Sequence, residues 1–121
     1  MMSKKTLVIG ASVKPERYSY KAIKALRNHR YEVVAIAPRA GRIDDVEFDT
    51  EKKDYAGIDT VTLYVGPGNQ PDYYDYVIGL NPRRVIFNPG TENREFVDKL
   101  QGNGIQTEEA CTLVLLSIGA Y

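Results

Sequence analysis

The stretch Leu7-Val8-Ile9-Gly10-Ala11-Ser12 constrains this chain more than any other. A short, β-branched apolar run suits a strand covered on both faces, and Gly10 closes it with a turn. From Ser19 onward, Ala22, Ile23, Ala25 and Leu26 fall at helical spacing, with Lys21, Lys24, Arg27 and Asn28 on the opposite face. Strand, glycine turn and helix start bring main-chain N–H groups and a helix N-terminus to one point. Open α/β sheets hold the diphosphate of a nucleotide cofactor in this way. The plainer reading is a structural strand-to-helix turn, which uses the same residue types.

The alternation repeats down the chain. Tyr31–Ala37 reads as a second strand stopped by Pro38, and Asp59–Val65 as a third, ended by Gly66-Pro67-Gly68. Pro71 opens a helix whose apolar face is Tyr74, Val77, Ile78 and Leu80. Arg84–Phe87 is a fourth strand ended by Asn88-Pro89-Gly90. Thr91 is the expected cap of the next helix, with Phe96, Val97 and Leu100 inward and Gly102 and Gly104 ending it. Ile105–Glu108 reads as a fifth strand and Cys111–Ile118 as a final helix, while the acidic stretch from Asp44 to Asp54 reads as loop with one short helical turn. Strands alternating with helices pair in parallel through right-handed crossovers. The expected fold is α/β: a Rossmann-like, doubly wound sheet of about five parallel strands in the order 3-2-1-4-5, with helices on both faces. No repeat or linker interrupts it, so residues 1–121 read as a single domain.

Composition narrows the function. Sixteen basic and sixteen acidic residues cancel, so no overall field attracts nucleic acid or anionic lipid, and an anion site has to be local. One cysteine and one histidine give no disulfide framework and leave little for a metal site. Met1-Met2-Ser3-Lys4-Lys5 resembles the start of a signal peptide. However, the apolar run behind it stops at Ser12 and is followed by Lys14, Pro15, Glu16 and Arg17. No window approaches the roughly 20 apolar residues of a spanning helix. The expectation is a cytoplasmic protein with a small-molecule nucleotide ligand, no nucleic acid and no membrane; a protein partner or homo-oligomer is left open.

In such a sheet the ligand crevice lies at the strand carboxyl ends. The loops that reach it are Gly10–Ser19, Pro38–Arg42, Val65–Gln70 and Asn88–Glu92. A dinucleotide site needs G-x-G-x-x-G, and here those positions are Gly10, Ser12 and Pro15. With two glycines missing and a longer loop, the pattern points away from nicotinamide dinucleotides, while Ser12 and Ser19 add hydroxyl donors. The second strand ends in Ala37-Pro38-Arg39-Ala40-Gly41-Arg42, where an NAD site wants a carboxylate for the ribose. Arg39 or Arg42 can pair with a phosphate on that ribose, 3′ in coenzyme A and 2′ in NADP. Two solvated loop arginines is the competing reading.

These residues resemble the CoA-binding domain family of small stand-alone Rossmann-like proteins, related to the N-terminal domain of the succinyl-CoA synthetase alpha subunit. The likeness runs over about residues 4–121. It rests on Ile9-Gly10-Ala11-Ser12, Arg17-Tyr18-Ser19-Tyr20, Pro38-Arg39, Asn88-Pro89-Gly90-Thr91-Glu92-Asn93 and Ala110-Cys111-Thr112-Leu113. The resemblance implies that Gly10, Ala11, Ser12 and Ser19 hold the CoA diphosphate, with Arg17 opening the helix behind them. It implies that Pro38 and Arg39 flank the ribose and its 3′-phosphate. Val65, Gly66 and Pro67 then border the nucleotide, and Asn88 and Gly90 line the exit toward the pantetheine. Two positions depart from the family pattern: Ala37 stands where Asn is commoner, and Asn88 where many members have Gln.

No catalytic set emerges. Cys111 reads as a small core hydrophobe, and its only candidate base, His29, falls at the far end of the first helix. Glu92 and Glu109 lack a partner, and the tyrosines at 73, 74 and 76 read as helix packing or a subunit contact. The reading is therefore non-enzymatic binding of coenzyme A or acyl-CoA, regulatory or carrier in use. Its alternatives are an NADP-dependent reductase or acyltransferase, and an interaction domain that has lost its ligand.

Overall fold

The short apolar runs become strands because each is rich in residues that fit a pleated, covered surface and is closed by a turn former. A computed structural model describes residues 4–121; Met1–Ser3, where the signal-like start begins, lie outside the described residues. In chain order the elements are β1 (Thr6–Ile9), α1 (Tyr18–Asn28), β2 (Val33–Ile36), β3 (Gly41–Ile43), β4 (Val46–Phe48), β5 (Thr60–Leu63), α2 (Tyr74–Leu80), β6 (Arg84–Phe87), α3 (Arg94–Gln101), β7 (Gln106–Glu109) and α4 (Thr112–Ser117). Two short 3-10 turns, Pro67–Asn69 and Pro71–Tyr73, precede α2. β1, β5 and β6 are buried at every position, as central strands of a parallel sheet should be, whereas the polar β7 is a partly exposed edge.

Five of the strands pair in parallel in the order β2-β1-β5-β6-β7. Counted as the five sheet strands expected from sequence, this is 2-1-3-4-5. The class of fold is as expected, but the third strand lies on the other side of β1 from where the order 3-2-1-4-5 places it. The acidic stretch explains the difference. Gly41–Ile43 and Val46–Phe48 form an antiparallel hairpin turned at Asp44-Asp45, with Ile43, Val46 and Phe48 buried and Arg42 and Glu47 exposed. The chain leaving the hairpin then runs beside β2: Ile36 bridges Asp49 in parallel, and the Ala37 N–H donates to the Asp49 carbonyl at 3.0 Å. That flank of β2 is occupied, so β5 pairs with β1 instead, Thr6 opposite Thr60 and Ile9 opposite Leu63.

Helices cover both faces. α2 and α3 pack Tyr74, Val77, Phe96 and Leu100 against Leu7, Ile9, Val61, Leu63, Val85 and Phe87. On the opposite face, Ile23 and Leu26 of α1, Leu116 of α4 and the hairpin's apolar residues meet Val8, Ala35 and Ile86. The tyrosines at 73, 74 and 76 have partners inside the chain. Tyr74 stacks on Phe96 at 4.5 Å, Tyr76 donates to the Lys53 carbonyl, and the Lys52 ammonium lies over the Tyr73 ring at 5.0 Å. These contacts fasten the segment after the hairpin onto α2. Among the described residues, no helix is long and apolar enough to cross a membrane.

Candidate functional site

The floor of the crevice is set at Gly10, where the chain turns from β1 with φ +99°. A Cβ there would lie 2.9 Å from the carbonyl carbon and oxygen of Tyr64 and 3.0 Å from Val65 Cγ1. Both the backbone conformation and the space therefore demand glycine. The contact is a direct consequence of β5 lying beside β1. It brings the loop after β5 against the loop after β1, at the point where the chain order of the strands reverses.

The first two amides of the turn face inward. The N–H groups of Gly10 and Ala11 both donate to the Ile36 carbonyl, at 2.9 and 3.1 Å, and so shape the loop from beneath. Further along, Ser12 Oγ accepts from the Lys14 N–H at 3.1 Å. Among the described residues, the N–H groups of Ser12, Val13, Tyr18, Ser19 and Tyr20 have no hydrogen-bond partner, and neither has the Ser19 hydroxyl. α1 begins behind an extended, exposed Arg17, and Ser19 is buried at its second position. The open donors thus start at Ser12 rather than at Gly10. Those of Tyr18, Ser19 and Tyr20 lie in the first turn of an 11-residue helix, at whose positive end an anion gains about 0.3–1 kcal/mol from the dipole.

The end of β2 stands beside this loop. Val13 packs over Gly41 so closely that a Cβ on that glycine would lie 2.6 Å from Val13 Cγ1 and 3.0 Å from the Phe48 ring. The two arginines after Pro38 have different fates. Arg42 donates to the Asp44 carbonyl at 2.7 Å and pairs with Glu47 at 3.6 Å, holding the hairpin. Arg39 is exposed and, among the described residues, has no ion-pair partner, as is also true of Lys14 and Arg17. An open cleft of ≈ 330 Å³ lies alongside, bordered by Ala40, Gly41, Phe48, Lys53 and Tyr55. A larger open cleft, ≈ 420 Å³, passes Gln101 and Gly104–Thr107 where β7 begins, at the opposite end of the sheet from these loops.

The loops after β5 and β6 complete the rim. Gly66 and Pro67 are exposed and Val65 is half-buried, and a Cβ on Gly66 or Gly90 would meet nothing within 4 Å. Asn88 does not face outward. It is buried, its Nδ2 donates to Thr62 Oγ1 at 2.6 Å and to the Leu63 carbonyl at 2.9 Å, and its Oδ1 accepts from the Thr112 N–H at 2.9 Å. Its amide ties α4 to the sheet from below, leaving exposed Gly90 as the rim residue of that loop. Thr91 is not the helix cap: its hydroxyl donates to the Asn88 carbonyl at 2.8 Å, and Asn93 caps α3 by accepting from the Phe96 N–H at 3.2 Å. Asn93 has the β-region backbone of a cap and stands immediately before the helix.

Sequence reasoning missed Gln70. It is fully buried, and its Nε2 donates to the Val65 carbonyl at 3.0 Å and the Thr91 carbonyl at 2.7 Å, while its Oε1 accepts from Asn93 Nδ2 at 3.0 Å. One side chain joins the two rim loops. The only sequence signal was a polar residue immediately ahead of Pro71.

No nucleophile and base come together. Cys111 is half-buried just before α4 rather than packed in the core. His29 caps the far end of α1, with Nδ1 against the Ala25 carbonyl at 2.8 Å. Glu92 accepts from the Gly90 N–H at 2.9 Å, and Glu109 is exposed at the end of β7. The Tyr64 hydroxyl is buried without a hydrogen-bond partner meeting ordinary geometry, and burial above all holds its ionisation well above the usual phenol range. Among the described residues, no group of three His, Cys, Asp or Glu side chains could hold a metal ion.

A parallel five-stranded sheet with helices on both faces, and a glycine turn where its strand order reverses, defines a Rossmann-like α/β protein. Residues 4–117 match the family described as "CoA binding domain". The chain belongs to this CoA-binding domain family. It is also similar to the crystal structure of an uncharacterized protein, at 42% identity and a TM-score of 0.96, over 100% of both chains. A hypothetical protein from Pyrococcus horikoshii OT3 shares 28% identity with a TM-score of 0.83, over 93% of this chain and 80% of that one. A structure from Thermus thermophilus, at 22% identity and a TM-score of 0.86 over 98% and 91%, shares the fold. No curated protein matches the sequence.

Proposed function

We propose that residues 1–121 act as a single domain that binds coenzyme A or acyl-CoA and performs no chemistry on it. The observation that carries this reading is the set of unpartnered N–H groups at Ser12, Val13, Tyr18, Ser19 and Tyr20 near an Arg39 with no ion-pair partner among the described residues. In this reading the amides and hydroxyls of Ser12 and Ser19 hold the diphosphate, and Gly10 and Ala11 give the loop its shape. Arg17 adds positive charge at the helix start. Pro38 turns the chain so that Arg39 faces the ribose 3′-phosphate. Val65, Gly66 and Pro67 border the nucleotide, and Gly90 lines the route of the pantetheine, with Asn88 as its support. Family membership supports the choice of coenzyme A over other phosphorylated nucleotides.

Titration calorimetry with CoA, dephospho-CoA, NAD and NADP tests the reading. A charge-assisted bond to the 3′-phosphate is worth about 1.5–3 kcal/mol, or roughly 10- to 150-fold in Kd. Because Arg39 is exposed, CoA should exceed dephospho-CoA by the lower end of that range. Tighter binding of NADP than of CoA, or no binding of any of the four, overturns the assignment.

A further inference from the structure

We infer that Gln70 is a positioning residue for the pantetheine arm: it clamps the loop after β5 to the loop after β6 and so sets the width of the crevice mouth between them. This deepens the coenzyme A reading and rests on it. The nucleotide half of the ligand would lie on the first loop, bordered on one side by Val65, Gly66 and Pro67, and only the arm beyond the diphosphate passes between the two rim loops. Those loops share no strand pairing beyond Leu63 and Phe87. Past that pair, Gln70 holds Val65 and Thr91 by their carbonyls, with both bonds coming from a single side-chain nitrogen. Its oxygen is held in turn by Asn93, which also donates to Tyr74 Oη at 2.9 Å and caps α3. Tyr74 donates to Glu95 at 3.0 Å. The amide therefore cannot rotate to release one loop without unpairing a rim carbonyl and its own buried polar atoms, including the oxygen that Asn93 holds. Gly66 and Gly90, exposed residues of the two loops, have open space where a Cβ would stand. The clamp thus ties together two loops whose exposed glycines leave room for the arm to pass.

The test separates the arm from the nucleotide. Adenosine 3′,5′-bisphosphate carries the adenosine end of CoA without the second phosphate of the diphosphate. The ratio of its Kd to that of CoA therefore reads that phosphate and the arm together, and a change in the ratio on substitution of Gln70 at the rim reads the arm. Gln70→Met keeps approximate volume without the bonds; Gln70→Asn keeps the amide but is one methylene too short to span both carbonyls. In a folded variant, confirmed by a cooperative thermal transition, the ratio should collapse by about tenfold while bisphosphate affinity changes less than about twofold. An unchanged ratio, whether both ligands weaken together or neither does, overturns the inference. In the wild-type protein, CoA should slow amide exchange in residues 65–70 and 88–93 together, whereas the bisphosphate should leave 88–93 unprotected. Protection of one segment alone by CoA, or of neither, also overturns it. If the bisphosphate binds as tightly as CoA, the clamp is refuted but the nucleotide site stands. If neither ligand binds wild type, the parent reading fails and carries this one with it.

Discussion

Replacing Gly10 by alanine probes the geometry on which the crevice floor depends. At φ +99° an L side chain is strained by about 1–2 kcal/mol. The new Cβ would also stand 2.9 Å from main-chain atoms of Tyr64, in a strand extension whose own N–H is bonded to the Ile9 carbonyl at 2.8 Å. Backbone held in that way yields little, so overpacking adds about 1–3 kcal/mol. The sum is about 2–5 kcal/mol, which for a chain of this length lowers Tm by roughly 3–5 °C for each kcal/mol. Gly66→Ala is the control. Gly66 has φ −67°, and its Cβ would enter open space, so restriction of the unfolded chain should stabilise it by about 0.4–1 kcal/mol. Urea titration and thermal melts of the two variants measure the difference. A Gly10→Ala protein within about 1 kcal/mol of wild type would refute the claim that β5 presses on the turn.

Three further outcomes follow from named contacts. Asn88→Ala should cost about 2–4 kcal/mol in urea unfolding, because Thr62, the Leu63 carbonyl and the Thr112 N–H lose buried partners at once; a cost below about 1 kcal/mol would show that water replaces the amide. Arg39→Ala should weaken CoA by about tenfold and leave dephospho-CoA unchanged, and an equal loss for both would remove the 3′-phosphate role. For Asp59, burial opposes ionisation, but hydrogen bonds from Arg83 (3.0 and 3.1 Å) and Thr60 (2.6 Å) outweigh it and hold the carboxyl below its ordinary range. A depressed carboxylate stabilises the fold above its unfolded pKa, and that contribution is lost as pH falls through the lower folded value. Asp59→Asn should therefore be less stable than wild type at neutral pH, with the two curves converging in acid; parallel curves would contradict the pairing.

What the amino-acid order revealed, and what it hid, divides along physical lines. Gly10 was legible because a glycine closing a β-branched run has few other uses, and the helices of residues 18–28 and 94–101 announced themselves by an apolar face. The hairpin was hidden. Two strands of three residues are too short for alternation to register, and Asp44-Asp45 is not a turn pair that signals a hairpin. That omission displaced the third sheet strand, since strand order depends on which edge is already covered. Gln70 and Asn88 were misread or missed for a different reason. Apart from the Val65 carbonyl bonded by Gln70, their partners lie more than 20 positions away in the chain, so little local marks them as buried and bonded. Arg84 is similar: it starts a strand, yet it is buried, bonds Thr60 at 3.2 Å and lies 4.6 Å from the Tyr121 ring centroid.

The most direct measurement is a crystal structure of the protein grown with CoA. Diphosphate density is expected against the free amides of Ser12 and Ser19, with the 3′-phosphate within reach of Arg39 and the pantetheine leaving past Gly66 and Gly90. Ligand density in the cleft beside Gln101 and Gly104, or crystals saturated with CoA yet showing the first loop bare, would contradict it.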